Sequence, residues 1–258
     1  MAPLTDYETL ARLVSAHMTR GVVTNTMVSQ EEYAGDLAAG TLEARETPAG
    51  LLLLRQRPTH VRLQFYLNDL SVPLGTALPS PTVTEIAFRP RDVKLQQAVD
   101  YLRHQGFAPV LERVRLSRPA GEAPLPDRPL TRPTQSAPVL AFLQENFSSL
   151  TSCLPTEGEL DDLLAQGRVL TLEENGEILG LLHFALTGNT GEIRHLAVRA
   201  DRRGEGLTRP LLAGDLQAAA GGKSIVWTRH DHLSAQAAYG RFGFVPDGRR
   251  AAVLCHQR

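Results

Sequence analysis

The chain has 258 residues, enough for two domains of ordinary size, and its 42% hydrophobic and 21% charged content is that of an average globular protein rather than a disordered or fibrous one. Lys plus Arg (27) nearly balances Asp plus Glu (28), which removes the electrostatic case for a nucleic-acid-binding protein. No apolar run approaches the ~20 residues needed to cross a bilayer, so no membrane partner is expected.

The first residues carry Asp6 and Glu8 where a secretory signal would be basic, and no apolar core region follows, so a cytoplasmic location is expected. Helices are expected over 6–18 and 30–44, and strands over 51–57 and 60–68, followed by a strand, a helix and a strand. Between them, residues 71–81 contain no arginine and no Gly-x-Gly, and carry too many prolines for a long helix. Six of the chain's seventeen prolines then fall at 119, 124, 126, 129, 133 and 138, which reads as an extended linker over 119–136 between domains 1–118 and 137–258.

The second half alternates more clearly. Helices are expected over 139–147 and 157–166, then strands over 168–173 and 177–185 joined by Glu174-Asn175-Gly176, where Asn and Gly supply the positive φ of a tight hairpin. A strand over 192–199 leads through a glycine-containing loop into a helix over 206–220, with Leu207, Leu211, Leu212 and Leu216 at helical spacing and Gly221-Gly222 as its stop. Pro210 fits only if that helix starts near Leu207, because first-turn N–H groups have no intrahelical partner. A strand at 224–228, a helix at 233–242 and an extended run at 251–255 complete the chain. Cys153 and Cys255 have no metal-site spacing, so free thiols and no metal site are expected.

The halves resemble one another. Gly106-Phe107-Ala108-Pro109 and Gly243-Phe244-Val245-Pro246 lie 137 positions apart (106 to 243), each after a helix and before a strand, which points to a tandem repeat of one fold.

The segment from Glu192 to Thr208 is a strand, a basic glycine loop and a helix start. Glycines allow close backbone approach to a pyrophosphate, and free N–H groups at a helix start donate to it with the favourable end of the helix dipole. Arg199, Arg202, Arg203 and Arg209 lie around the same place. Arg203-Gly204-Glu205-Gly206-Leu207-Thr208 resembles the Arg/Gln-x-x-Gly-x-Gly/Ala motif of the GNAT superfamily of N-acyltransferases, with Thr208 in place of the small last residue. His232-Leu233-Ser234-Ala235-Gln236-Ala237-Ala238-Tyr239-Gly240-Arg241-Phe242-Gly243-Phe244 is similar to that family's closing signature, Asn-x-x-Ala-x-x-x-Tyr-x-x-x-Gly-Phe. Here His232 replaces the Asn, while Ala235, Tyr239, Gly243 and Phe244 match.

The resemblance implies an α/β fold, a mixed sheet flanked by helices, in two tandem copies. It also implies acetyl-CoA as cosubstrate and transfer of its acetyl group to a primary amine of a small molecule or peptide. Leu196, Ala197 and Val198 would pair with the pantetheine arm, residues 203–208 would hold the pyrophosphate, and His232 and Ala235 would border the arm. Tyr239 would be the acid beside the thioester sulfur, and a backbone N–H near Leu196 or Val198 the oxyanion donor. Glu192, at the head of the strand, is the first candidate base; His195 is the second, and alternation along a regular strand would send the two to opposite faces. His183 on the preceding strand is a third, more readily read as a structural histidine. The N-terminal half has no such loop, and Leu102 stands where Tyr239 would be. A silent CoA-binding module and a transferase using longer acyl-CoA are the alternatives, and the sequence leaves monomer and homodimer open.

Overall fold

The computed structural model describes residues 3–28 and 30–257, and the chain divides into two compact units. Unit 1 comprises Met1–Arg113 with Arg249–Arg258, and unit 2 comprises Val114–Gly248.

In unit 1, Leu4 bridges to Leu42 before helix α1 (Tyr7–His17), whose N-terminus is capped by the Asp6 carboxylate accepting the Thr9 N–H at 2.7 Å. A two-residue strand β1 (Val23–Thr24) and helix α2 (Gln30–Ala39) follow. The helix expected to reach residue 44 stops earlier. Gly40 turns the chain at φ +63° and strand β2 (Leu42–Thr47) begins, in antiparallel register with β3 (Gly50–Gln56). Strands β4 (Val61–Leu67) and β5 (Thr82–Phe88), helix α3 (Val93–His104) and strand β6 (Ala108–Arg118) complete the first half of the sequence. Residues 68–81 form neither helix nor strand. The run Leu51–Leu54 is fully buried because β3 is covered on both faces. Leu51 and Leu53 enter the core beneath α1 and α2, and Leu52 and Leu54 enter the one beneath α3.

In unit 2, Thr131 bridges to Thr171 before helices α4 (Ser136–Asn146) and α5 (Glu157–Ala165). Helix α5 opens with a capping box between Thr156 and Glu159. Strands β7 (Val169–Glu174), β8 (Glu177–Thr187) and β9 (Thr190–Val198) form an antiparallel meander whose first turn places Asn175 at φ +53° and Gly176 at +81°, as the Asn-Gly pair requires. A short 3₁₀ turn at Ala200–Arg202 leads to α6 (Thr208–Ala218), with Pro210 in its first turn. Strand β10 (Ser224–Arg229) runs parallel to β9, and α7 (Leu233–Gly240) follows it. Helix α6 covers one sheet face, and α4 and α5 the other. The proline-rich stretch from 119 lies within unit 2. The Gly121 N–H reaches the Gly221 carbonyl at 2.8 Å, and the Gln217 side-chain amide donates to the carbonyls of Ala123 and Pro124.

Each unit is a mixed sheet flanked by helices. Unit 1 runs β2-β3-β4-β5 and closes on residues 250–256 of β11 (Val245–His256), antiparallel to β5. Unit 2 runs β6-β10-β9-β8-β7, entered through residues 114–118. Each unit therefore takes its closing strand from the other half of the sequence.

Candidate active site

The site is built where β9 and β10 part. Their parallel pairing covers Gly191↔Ser224, Glu192↔Ile225 and Ile193↔Val226, and beyond Ile193 no β10 partner continues. Residues 196–198 stay paired with β8 on their other edge (Leu182↔Leu196, Leu181↔Ala197, Gly180↔Val198). Their edge toward β10 therefore offers backbone donors and acceptors to a further extended chain.

A β-bulge sharpens the opening. His183 of β8 pairs with His195 and Phe184 pairs with Ile193, so Arg194 is an extra residue on β9. The bulge changes which residues share a face. Opposed residues on a ladder lie on the same side, so Glu192 with Ala185, and His195 with His183, all fall on the α4–α5 side. Ile193 joins the α6 core. The expectation that Glu192 and His195 point to opposite faces is thus corrected, because the inserted residue shifts the alternation.

His195 is buried and both its ring nitrogens are engaged. Nε2 lies 2.7 Å from the Ser152 carbonyl, which can only accept, so Nε2 carries a proton; Nδ1 lies 3.0 Å from Nδ1 of His183. In the neutral pair, His183 then donates and His195 accepts. Phe147 packs edge-on against His195 with ring centroids 4.9 Å apart. Burial, reinforced by His195 and Arg194, pushes His183 down to about 3, so this ring stays neutral at physiological pH. The pair ties the α4–α5 connection to the bulged strands. Glu192, by contrast, is partly exposed and sits 3.1 Å from the Arg194 guanidinium.

Tyr239 lies on the opposite side of the sheet. It is buried in the core that holds Ile193, Val198, Val226 and Leu211, with its ring 5.6 Å from that of Phe244. Burial, with the charge of Asp215 adding, pushes its hydroxyl well above the ordinary tyrosine range, so it stays protonated. Asp215, on α6, is a buried carboxyl that sequence reading passed over; its place on the apolar face between Leu212 and Leu216 was the signal. It accepts the Ser224 hydroxyl at 2.5 Å beside Gly191, at the root of the opening, and burial pushes it up to about 6.

The loop from Arg199 to Leu207 has Gly204 at φ +91° and Gly206 at +76°, and a side chain built at either would meet open space. The glycines are there for conformation, and the backbone is open to a ligand. The arginines are less free than their number suggests. Arg199 is held by Asp201 at 2.7 Å and Glu177 at 2.6 Å, and Arg202 by Glu205 at 2.7 Å and Glu174 at 2.8 Å. Arg203 donates to the Val198 carbonyl at 3.3 Å, and Arg209 lies 3.4 Å from Asp127. An anion here would rest chiefly on the Gly204–Thr208 backbone and the α6 N-terminus. His232 is the N-cap residue of α7, exposed and without a side-chain capping bond, and Ala235 packs at the edge of the core.

The model of the acetyltransferase (GNAT) family matches residues 139–244, and the chain carries a domain of that family over this stretch. Among solved structures, a GNAT-family acetyltransferase from Colwellia psychrerythraea is 14% identical, with 99% of this chain and 98% of the other covered at a TM-score of 0.56. A GCN5-related N-acetyltransferase from Sphaerobacter thermophilus is 15% identical, covering 98% and 94% at 0.57. A tandem GNAT protein from the clavulanic acid biosynthesis pathway is 14% identical, covering 80% and 78% at 0.52. At these identities the likeness is one of fold. No curated protein sequence matches the chain significantly. Among the described residues no helix is long and apolar enough to cross a membrane, and no cluster of three or more His, Cys, Asp or Glu could hold a metal ion.

Proposed function

We propose that unit 2 is an acetyl-CoA-dependent N-acetyltransferase acting on a primary amine of a small molecule or peptide. The observation that carries this reading is the opening between β9 and β10, with Glu192 on one face, Tyr239 on the other and the glycine loop at its end. When bound, acetyl-CoA supplies an acyl group already activated as a thioester, so the protein has only to position an amine, remove its proton and stabilise charge. Residues 196–198 hold the pantetheine arm as an added strand, residues 203–208 the pyrophosphate, and Ala235 with His232 border the arm. Glu192 takes the amine proton, directly or through one water, because the engaged nitrogens of His195 leave it no free lone pair. His195 instead holds the α4–α5 connection, the side from which the amine arrives. A backbone N–H near Leu196 or Val198 donates to the developing oxyanion.

Tyr239 acts at the sulfur. Its raised affinity for its proton makes it a weaker acid than a thiol, so it serves by hydrogen-bonding to the departing thiolate more than by giving its proton up. The test is release of free thiol from acetyl-CoA against a panel of primary amines. Turnover with any amine supports the enzyme. Tight CoA binding with no turnover across the panel favours a silent binding module, and turnover confined to longer acyl-CoA reassigns the donor.

A further inference from the structure

Unit 1 repeats the opening and fills it. Strand β4 pairs in parallel with β5 only at Val61↔Thr82 and Arg62↔Val83, after which the two part as β9 and β10 do. The other edge of β4 is taken along its whole length by β3, from Gln56↔Val61 to Gly50↔Leu67. Strand β1 pairs antiparallel with β4 at Val23↔Leu67 and Thr24↔Tyr66, so it can lie only on the β5 side, inside the opening. Val23 is buried there in the core shared with Leu67, Ala98 and Tyr101.

Asn25, the next residue, closes the fork. Its side-chain oxygen accepts the Phe65 N–H at 2.9 Å. Its amide donates to the Thr84 hydroxyl oxygen at 3.0 Å and the Glu85 carbonyl at 3.1 Å, with the Leu63 carbonyl at 3.4 Å. The Thr84 hydroxyl in turn donates to the Leu63 carbonyl at 2.9 Å. One carboxamide thus bonds backbone groups of both separating strands, chiefly the Phe65 N–H of β4 and the Glu85 carbonyl of β5.

We propose that residues 23–25 are a built-in occupant of the cofactor cleft in unit 1. They stand where the corresponding opening of unit 2 takes the pantetheine arm, and they leave the chain with one acyl-CoA site. Both ligands are extended and carry amide groups, so both answer the same strand edge. A tethered segment meets that edge at high effective concentration and needs no phosphate loop, in keeping with a 68–81 connection that has none. The identity of the ligand in unit 2 rests on the function proposed above. The seating of residues 23–25 does not.

The test is amide hydrogen exchange on the intact chain together with coenzyme A calorimetry. In the unaltered protein the Phe65 amide should be as protected as the interior of β4, and coenzyme A should bind once. Asn25→Ala removes the carboxamide, while Asn25→Asp keeps its size but turns a carboxylate oxygen toward the Leu63 and Glu85 carbonyls. In both, Phe65 exchange should accelerate by about tenfold or more and Tm should fall by about 4–8 °C, with stoichiometry unchanged. A freely exchanging Phe65 amide or two coenzyme A sites in the unaltered chain would overturn the proposal whether or not the variants fold. So would unchanged Phe65 exchange in both variants. A chain that binds no coenzyme A yet protects Phe65 supports the internal occupant and removes the function assigned to unit 2.

Discussion

The two units share the same junctions and differ in what they put between them. At the start of α3, the Gln96 side-chain amide donates to the Arg89 and Pro90 carbonyls; at the start of α7, that of Gln236 donates to the Arg229 and His230 carbonyls, 140 positions on (96 to 236). The N-cap residues agree closely, Asp92 at φ −85°, ψ 68° and His232 at φ −87°, ψ 67°. At the far ends the offset is 137: the Phe107 N–H reaches the Leu102 carbonyl at 3.1 Å, and the Phe244 N–H the Tyr239 carbonyl at 3.2 Å. The second helix has lost three residues, close to one turn, so both its ends keep their roles. Register carries the equivalence to the strands, where Arg62, one residue beyond the Val61↔Thr82 pair, answers Glu192, one beyond Gly191↔Ser224. We infer two copies of one fold. One has Glu192, Tyr239 and a glycine loop. The other has Arg62, Leu102, a proline-rich connection and a filled cleft. Scaffold and chemistry have separated on this reading, since what the copies share is hydrogen bonding at chain reversals and what they do not share is the proposed reactive set.

The sharpest way to break this contrast is at the loop. Gly206→Asp puts a carboxylate where the pyrophosphate is proposed to lie, at a positive φ that Asp tolerates better than most residues. Affinity for coenzyme A should fall at least about 100-fold, equivalent to about 2.7 kcal/mol, in calorimetry. Undiminished affinity would move the cofactor elsewhere. Next in size is Tyr239→Phe, which removes only the hydroxyl. Turnover should fall about 10²-fold, the lower end of the range for acid help because the group donates a hydrogen bond more than a proton, while coenzyme A affinity changes little. Leu102→Tyr should confer no activity on a Tyr239→Phe chain. Full turnover by Tyr239→Phe at saturating acetyl-CoA would leave Tyr239 a core side chain only, as Leu102 is.

A pH experiment probes the buried carboxyl of α6 in unit 2. Asp215 is pushed up to about 6 from 3.8, so the folded state holds its proton more tightly than the unfolded chain. The stability this contributes is complete below about pH 4 and is lost as pH rises through 6. His183 and His60, pushed down to about 3 and about 4 from 6.5, act in the other direction, with their stability lost as pH falls below 6.5. The difference between Asp215→Asn and the unaltered chain isolates the carboxyl. The variant should gain about 1–3 kcal/mol relative to the unaltered chain between pH 4.5 and pH 8 in chemical denaturation. A difference that does not change with pH would show that Asp215 is ionised like a surface carboxylate.

What the sequence disclosed was local chemistry. Asn175-Gly176 announced its hairpin, Pro210 placed the start of α6, and Gly204 and Gly206 marked an open backbone. The Pro-rich stretch and the helix expected over 30–44 show the limits. Closely spaced prolines exclude a helix interior but do not say whether an extended segment joins two domains or lies along one, and strand pairing to β3 claims residues 42–44 from the helix. The bulge at Arg194, the bond from His195 to the Ser152 carbonyl and the closing strands drawn from opposite halves depend on partners on other elements. Asn25 is the clearest case. As a letter it is a polar residue between two threonines, and only the parting of β4 and β5 gives it four partners.

The smallest effect sharpens the comparison most, because it concerns what the units have in common. Gln96 and Gln236 each satisfy two carbonyls six and seven residues earlier, at the entry to helices that carry different cargo. Gln96→Ala and Gln236→Ala remove the same pair of bonds from the same kind of turn, and each acceptor is left to water rather than buried. Each change should cost about 0.5–1.5 kcal/mol, seen as a lower denaturation midpoint with an unchanged slope. The two costs should match within about 0.5 kcal/mol, since geometry and not sequence context sets them. Gln236→Ala should in addition weaken coenzyme A binding slightly by loosening His232, while Gln96→Ala should leave binding alone. If one glutamine proves costly and the other silent, the shared junction is a coincidence of turn geometry, and the case for two copies falls back on the strand registers and the Gly-Phe pairs.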